Sequence, residues 1–489
     1  MEYTEIVTQQ GTLRGAVVNG ARVWKGIPYA RPPVGDLRFR APQPAEAWEG
    51  VRDALAFGPI CPQPAPPETS LFGSNAVEMS EDCLHLNVWA PEPAGSALPV
   101  MVWIHGGAFV SGASSLPLYD GTQLALRGDC VVVSLNYRLG ALGFLHVSPL
   151  GEGFDSNTGL LDQVCALEWV RANIAAFGGD PDAVTLFGES AGAMSIAALL
   201  AMPAARGLFH RAVLQSGAAQ SMPAAQAESI SAGFLRRLGV DGGNLERLKT
   251  LGAEELLAAA AQMGSEAESA GVTLPFQPAV EPGTLPVEPL QAVAEGSAAG
   301  IPLIVGTNRD EGVFFFHDES QVMAPEALID TLRAMTGQED VTEWLKEYPP
   351  TLAGQADMMT DLYFWRSALA FAEAQSRHAP VWMYRFDWTL PGHPFFGAAM
   401  HAVEIPFVFG NLVLLPRMGV RLEPVMQNLS DAMREAWQGF AKAGDPSTGA
   451  LPWAPYAEDG RTTMVFGMTA VPENDPQREK RERIFGAAL

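Results

Sequence analysis

The segment Val184-Thr185-Leu186-Phe187-Gly188-Glu189-Ser190-Ala191-Gly192-Ala193-Met194-Ser195 decides the fold. Its first four residues are a short apolar run of strand formers that stops at a glycine. Gly188 and Gly192 then bracket Ser190 in a G-x-S-x-G pattern, and no charged residue occurs between Glu189 and Arg206. The predicted order is strand, cramped turn, buried helix. Only small residues fit beside so tight a bend, which accounts for both glycines. The bend pushes the Ser190 hydroxyl out at the carboxyl end of the strand, and the following helix directs its amide-rich start at the same point. An ordinary strand-turn-helix with Ser190 as a helix cap is the alternative. The flanking strand and helix favour an exposed nucleophile.

Similar apolar runs recur on either side: Leu98–Ile104, Cys130–Leu135, Ala212–Leu214, Pro302–Val305 and Val381–Phe386. Runs apolar on both faces belong in a parallel sheet covered by helices. Leu160, Val164, Leu167, Val170 and Ile174 step by three or four residues, a helix that Gly178-Gly179 ends. This alternation predicts an α/β fold with a mostly parallel central sheet and helices on both faces. Alternating segments such as Thr12–Val18 predict an antiparallel edge near the start. One domain spanning 1–489 is expected. Regions at about 221–300 and 318–380, helical in pattern, read as insertions covering one end of its sheet. The prolines of Cys61–Glu68 exclude a central strand and predict a surface loop. The mixed charges of Arg478–Arg483 predict a solvated helix face.

Composition narrows the function. The 489 residues are 48% hydrophobic and 18% charged, which excludes intrinsic disorder. Acidic residues number 55 against 31 basic ones, a net charge of −24. Such a surface repels phosphate backbones and anionic lipid, so neither nucleic acid nor membrane is expected as a partner. The opening MEYTEIVTQQ lacks a basic-then-apolar leader. A cytoplasmic location follows as an expectation, with Cys61, Cys83, Cys130 and Cys165 as free thiols. The four form no CxxC pair, and no metal site or cofactor is expected. The expected state is a monomer or weak homo-oligomer.

Two further elements suit nucleophilic chemistry. His105-Gly106-Gly107-Ala108-Phe109 follows a predicted strand, as a loop donating amides to a developing oxyanion does. The donors would be the amides of Gly107, Ala108 and Ala191, each worth ~3 kcal/mol of transition-state stabilisation. A serine also needs a base, and in this arrangement the chain order is serine, acid, histidine. His210, His317, His378, His393 and His401 follow Ser190. His393 and His401 both come after the Val381–Phe386 strand; small residues surround His401, while Pro391-Gly392-His393-Pro394 reads as a turn. For the acid, Asp310 and Glu311 compete after the Pro302–Val305 strand. Spacing leaves both choices open.

Taken together, these residues resemble a known family. Gly26-Ile27-Pro28-Tyr29-Ala30, Pro32-Pro33-Val34-Gly35, Ser80-Glu81-Asp82-Cys83-Leu84 and Gly188-Glu189-Ser190-Ala191-Gly192 look like the motifs of type-B carboxylesterases of the α/β-hydrolase fold, the family that includes cholinesterases. Asp310-Glu311-Gly312, His401 with Glu404-Ile405-Pro406-Phe407, and Trp453-Ala454-Pro455-Tyr456 extend the match over nearly the whole chain, in the form of the bacterial para-nitrobenzyl esterases. The resemblance implies Ser190 as nucleophile, Glu311 as triad acid and His401 as general base. It implies oxyanion donors at Gly107, Ala108 and Ala191, with Ala108 linked to room for bulky alcohols. It also implies an Arg38–Glu81 ion pair and a buried Ser216 that helps hold Glu311. Secreted members bridge the counterparts of Cys61 and Cys83; whether they are bridged here stays open. Residues 62–82 hold no tryptophan and only Phe72 as an aromatic, so choline esters are not the expected substrate.

The implied activity is hydrolysis of small to medium apolar carboxylic esters (alkyl, aryl, benzyl) through an acyl-enzyme on Ser190. Phe109, Tyr119, Met194, Phe314, Phe315, Leu362 and Phe364 are the candidate pocket walls, weighed against ordinary core packing. One rival is a non-catalytic adhesion protein resembling neuroligins, which lack the nucleophile. A second is an amidase, carbamate hydrolase or thioesterase working on the same three residues.

Overall fold

The computed structural model describes residues 2–65, 78–92, 97–269, 274–316 and 318–486. His317, Phe72 and the end of the Cys61–Glu68 segment lie outside the described residues. Among the described residues thirteen strands form one sheet. They are β1 (Glu2–Val7), β2 (Thr12–Val18), β3 (Ala21–Pro28), β4 (Val51–Asp53), β5 (His85–Pro91), β6 (Leu98–Ile104), β7 (Val131–Leu135), β8 (Gly179–Glu189), β9 (Arg211–Gln215), β10 (Leu303–Asn308), β11 (Val381–Phe386), β12 (Thr462–Phe466) and β13 (Ala470–Asn474). The order is β1-β2-β3-β5-β7-β6-β8-β9-β10-β11-β12-β13, with β4 beside β2. From β7 to β12 every neighbouring pair is parallel. β1, β2, β3 and β5 pair antiparallel, as expected for the start of the chain, and β13 closes the far edge antiparallel.

The pleat explains why the apolar runs are continuous. Successive side chains of a strand face opposite sides. Val100, Val102 and Ile104 of β6 enter one core, while Met101 and Trp103 enter the other. β10 divides the same way, with Leu303 and Val305 against Ile304, and so does β11, with Val381 and Met383 against Trp382, Tyr384 and Phe386. The first core is roofed by the helices Thr158–Asn173 and Ala191–Ala201, the second by Pro424–Ala443. Every residue of Ala191–Ala201 is buried, which explains its lack of charge. β8 begins at Gly179, five residues before its apolar run: Gly179 pairs with Leu98, and the polar residues 180–183 form an irregularity before pairing with β6 resumes at Val184.

Both insertion regions are helical. Ala224–Arg237, Ala253–Ser269 and Pro289–Ala294 belong to the first. Pro325–Thr336, Thr342–Glu347, Leu352–Met358 and a π-helical turn, Met359–Trp365, belong to the second. The helix Arg366–Ser376 departs from the insertion reading. Ala368, Phe371 and Ala372 are core residues of the sheet's first face, so it is a layer helix.

Two surface expectations need correction. Cys61, Pro62 and Gln63 are buried; only Pro64 and Ala65 of the described part are exposed. The prolines do keep this segment out of the sheet, but its first residues pack inward. The helix Arg478–Phe485 is not uniformly solvated either. Arg481 is buried against Asp475 at 2.8 Å, and Lys480 Nζ reaches the buried Asp361 carboxylate at 2.7 Å. Asp361 lies in the π-helical turn, so this charge run ties the insertion to the chain's end.

Candidate active site

Parallel strands end on one side of the sheet, and ligand sites of such sheets form there. The loop after β6 carries Gly107 and Ala108, the bend after β8 carries Ser190, and the loops after β10 and β11 carry Glu311 and His401. Ser190 has φ 56° and ψ −125°, a conformation that L residues avoid. Non-glycine residues in such regions cost about 1–3 kcal/mol and persist where their surroundings over-determine them. Here the Ser190 amide donates to Gln215 O at 2.9 Å. A Cβ on Gly192 would lie 2.0 Å from Ile104 O, and one on Gly188 would lie 2.8 Å from the same oxygen. Both glycines are therefore required by close approach to β6. A Cβ on Gly106 would lie 3.0 Å from Ser190 Cβ, so the loop after β6 packs directly on the bend.

Gly107, Ala108 and Phe109 all have positive φ, at 112°, 54° and 61°. This turns the chain so that, among the described residues, the amides of Gly107 and Ala108 donate to no protein acceptor. Ala191 is the first residue of its helix, and such amides have no intrahelical partner. Among the described residues none of the three expected donor amides is bonded to a protein acceptor.

Of the candidates that spacing left open, His401 and Glu311 lie in contact. His401 Nδ1 lies 2.6 Å from Glu311 Oε2, both groups being buried. Glu311 Oε1 accepts the Asn308 amide at 2.7 Å. Asp310 is turned away to pair with Arg309 at 2.8 Å, and its carboxylate also accepts the Ala399 amide at 2.9 Å. It thereby holds the loop that carries His401. His393 organises a turn: its Nδ1 accepts the amides of Phe395 and Phe396, and its Nε2 lies 3.0 Å from Met418 O. His105 is fully buried, and burial pushes its pKa down to about 4.

Sequence reasoning missed a cluster of carboxyl groups around the imidazole. Glu189 Oε1 approaches His401 Nε2 at 3.0 Å, a charge contact too poorly aligned to be a hydrogen bond. Burial alone would lower the His401 pKa, but the Glu189 and Glu311 charges and the Glu311 hydrogen bond outweigh it and hold the pKa well above 6.5. Burial raises Glu189 in turn, and His401 opposes that rise. Glu404 is buried beside them. Burial and the charges of Glu189 and Glu311 push its pKa to about 7, against hydrogen bonds from Asn308 at 2.7 Å and Gln215 at 3.0 Å. Position alone was the hint: Glu189 lies inside the G-x-S-x-G motif, and Glu404 follows His401 by three residues, though neither position marks burial.

The other expected residues divide. Phe314, Phe315 and Phe364 surround the His401 ring, with centroids 5.8, 5.2 and 4.9 Å away. Met194 is buried one helical turn beyond Ser190. Phe109 is fully buried with its ring edge-on to Phe144. Tyr119 packs on Trp103 and Phe409, and Leu362 joins a satellite core with Leu328 and Ile484. Arg38 and Glu81 pair as expected, Nε to Oε2 at 2.7 Å, and Arg38 also donates to Leu248 O and Leu251 O. The expectation for Ser216 needs correction. Its Oγ is buried with no partner among the described residues, and the Asn308 amide takes the place on Glu311. Cys61 and Cys83 are both free and buried; a hydrogen bond to Cys61, then burial, raises the Cys83 pKa. Among the described residues no grouping of three metal-ligating side chains occurs, and no helix is long and apolar enough to cross a membrane.

Residues 2–483 match the family model described as the carboxylesterase family. The chain is 52% identical over 486 residues to the para-nitrobenzyl esterase of Bacillus subtilis, covering 99% of both. It is 36% identical to the phenmedipham hydrolase of Pseudarthrobacter oxydans, covering 94% of each. Among solved structures, a thermophilic para-nitrobenzyl esterase superposes with a TM-score of 0.95 at 52% identity, covering 99% of this chain and all of that one.

Proposed function

Because this chain belongs to the carboxylesterase family and has the α/β-hydrolase fold, we propose that it hydrolyses carboxylic esters through Ser190, His401 and Glu311. The observation that carries this reading is the 2.6 Å Glu311–His401 bond at the strained bend that presents Ser190. Glu311 holds the imidazole so that Nδ1 keeps its proton and Nε2 accepts one. His401 takes the Ser190 proton as Oγ attacks the ester carbonyl, and the amides of Gly107, Ala108 and Ala191 receive the oxyanion. His401 then protonates the departing alcohol. Water repeats the sequence on the acyl-enzyme and frees the acid. No step calls for a metal or organic cofactor.

The substrates are small to medium apolar esters, para-nitrobenzyl esters among them, because Phe314, Phe315 and Phe364 make the surroundings of the imidazole aromatic. Ala108 rather than a larger residue leaves space beside the oxyanion for a branched alcohol. A panel varying acyl and alcohol size separately, on wild type and on Ser190→Ala, tests both points. Turnover on the aryl and benzyl members and measurable cleavage of a tertiary-alcohol ester are expected. Failure on all tertiary esters while primary analogues react removes the Ala108 argument.

The raised His401 pKa has a kinetic consequence. The base works only when neutral, so kcat/KM falls as pH drops through that pKa, and the acid limb lies above the ordinary value of 6.5. Glu189→Gln removes one of the charges that favour the imidazolium. The limb then moves to lower pH, and a kcat/KM profile between pH 5 and 9 reads the shift. An unmoved limb would show that Glu189 does not act on the base.

The same reading treats 1–489 as one domain, with insertions at about 221–300 and 318–380, the layer helix Arg366–Ser376 excepted, over the active-site end. It also makes the protein a cytoplasmic monomer or weak homo-oligomer without nucleic-acid or membrane partners. Four free thiols and the charge of −24 support it. Alkylation in cells followed by mass spectrometry should find all four thiols reduced.

A further inference from the structure

The oxyanion loop is strained, and something must hold it. Gly107, Ala108 and Phe109 are consecutive left-handed residues, two of them bearing a Cβ. Part of the hold is local: Val110 and Ser111 donate to Gly107 O at 3.0 and 2.9 Å, and Gly140 donates to Phe109 O at 2.7 Å. The loop's far end is Gly112, with φ 107°. A Cβ there would lie 2.4 Å from Gly106 O and 2.5 Å from His105 Nδ1. The backbone of Gly112 therefore rests on the backbone that enters the oxyanion hole, and the position of one fixes the other.

Gly112 is held by a side chain from a distant part of the chain. Gln63 Nε2 donates to Gly112 O at 2.9 Å, and Gly112 N donates to Gln63 Oε1 at 2.8 Å. The amide pairs with the peptide as a strand neighbour would. Nε2 also donates to Cys61 O at 3.0 Å, so both of its protons and the carbonyl are engaged. Flipping the amide would set donor against donor and acceptor against acceptor, so the network admits a single orientation. Gln63 is only 8% exposed, and its segment is anchored where Leu139 N donates to Cys61 Sγ at 3.3 Å.

We infer that Gln63 is a positioning residue for the oxyanion hole: its amide clamps Gly112 and so sets where the Gly107 and Ala108 amides point. The inference rests on the proposed roles of Ser190 and those amides. Gln63 touches no reacting atom; it acts through Gly112 and Gly106. Without the clamp the Gly112 N–H and C=O lose their partners, and the left-handed run relaxes away from the transition-state geometry. Displacements on the order of 1 Å near a reacting centre cost about 100-fold in rate.

Gln63→Met keeps the length and removes all three hydrogen bonds. Gln63→Glu keeps the acceptor for Gly112 N and places a carboxylate against Gly112 O. Active sites are first titrated with a phosphonyl fluoride and the label located by mass spectrometry, so that unfolded protein is not counted. Both variants are expected to lose about 10- to 100-fold in kcat per titrated site with KM within about threefold. Affinity for a trifluoromethyl ketone, which forms a tetrahedral oxyanion adduct on the serine, should fall in the same proportion as kcat. If per-site kcat stays within twofold of wild type in both variants, or falls without loss of ketone affinity, the positioning role is overturned. If the label on wild type is not on Ser190, the reading of the active site fails instead, and the two failures are distinct.

Discussion

Ser190→Ala is expected to lower kcat by about 10⁶-fold, ~8 kcal/mol at 1.36 kcal/mol per decade, while the fold and ester binding persist. The size follows from what the hydroxyl does: its oxygen forms the covalent acyl-enzyme, and a methyl group cannot. Residual turnover of ~10³–10⁴ over the uncatalysed rate remains, from the oxyanion amides and binding alone. Stability separates this effect from unfolding. Alanine keeps the Cβ, so the strain at φ 56° is unchanged and Tm should stay within a few degrees of wild type. Ser190→Gly removes the Cβ and relieves that strain, so it should be equally inactive but more stable by about 1 kcal/mol. Steady-state kinetics beside thermal denaturation of the three proteins gives the answer. Turnover by Ser190→Ala within tenfold of wild type would remove Ser190 from the chemistry.

The bend itself was legible because three constraints meet on few residues. A strand must end, a helix must start without charge, and both flanking positions must be glycine; each leaves a mark in twelve consecutive residues. The central sheet was legible for a similar reason, since strands covered on both faces read as unbroken apolar runs. What escaped was whatever depends on pairing between distant segments. Val184–Phe187 shows where β8 is buried but not that it starts at Gly179, because Gly179 pairs with Leu98 across an irregular polar stretch, 180–183, that carries no strand pattern. Gln63 sits among prolines that mark a loop, and nothing local shows that its amide completes a peptide 49 positions away. Glu189 and Glu404 were in plain view, but a carboxyl in a motif carries no sign of burial beside an imidazole. The aromatic residues divide on the same principle. Phe314 and Phe315 neighbour Glu311 in sequence and so had to be near His401, whereas Phe109 and Tyr119, equally apolar, turn into the core.

Position 311 poses the sharpest test of the acid's identity. Glu311→Gln is close in shape to the native residue and should leave the backbone in place, yet kcat should fall about 10⁴-fold with KM changed only a few-fold. The reason is the direction of hydrogen bonds. The Asn308 amide donates to Oε1 at 2.7 Å and requires an acceptor there. A glutamine meets that demand with its carbonyl oxygen and must then turn its NH₂ toward His401 Nδ1. Nδ1 becomes the acceptor, the imidazole proton moves to Nε2, and Nε2 loses the lone pair that should receive the Ser190 proton. Losing the Glu311 charge also lowers the His401 pKa, so the small remaining activity should show its acid limb at lower pH than wild type. Glu311→Asp keeps the charge but shortens the reach, and should recover part of the loss. Asp310→Asn serves as the control. Asp310 pairs with Arg309 and accepts the Ala399 amide, so its loss loosens the His401 loop and should cost no more than about tenfold. If Asp310→Asn proved the crippled variant and Glu311→Gln kept a tenth or more of wild-type kcat, the acid would be the neighbouring carboxylate and the geometry at His401 would have been misread.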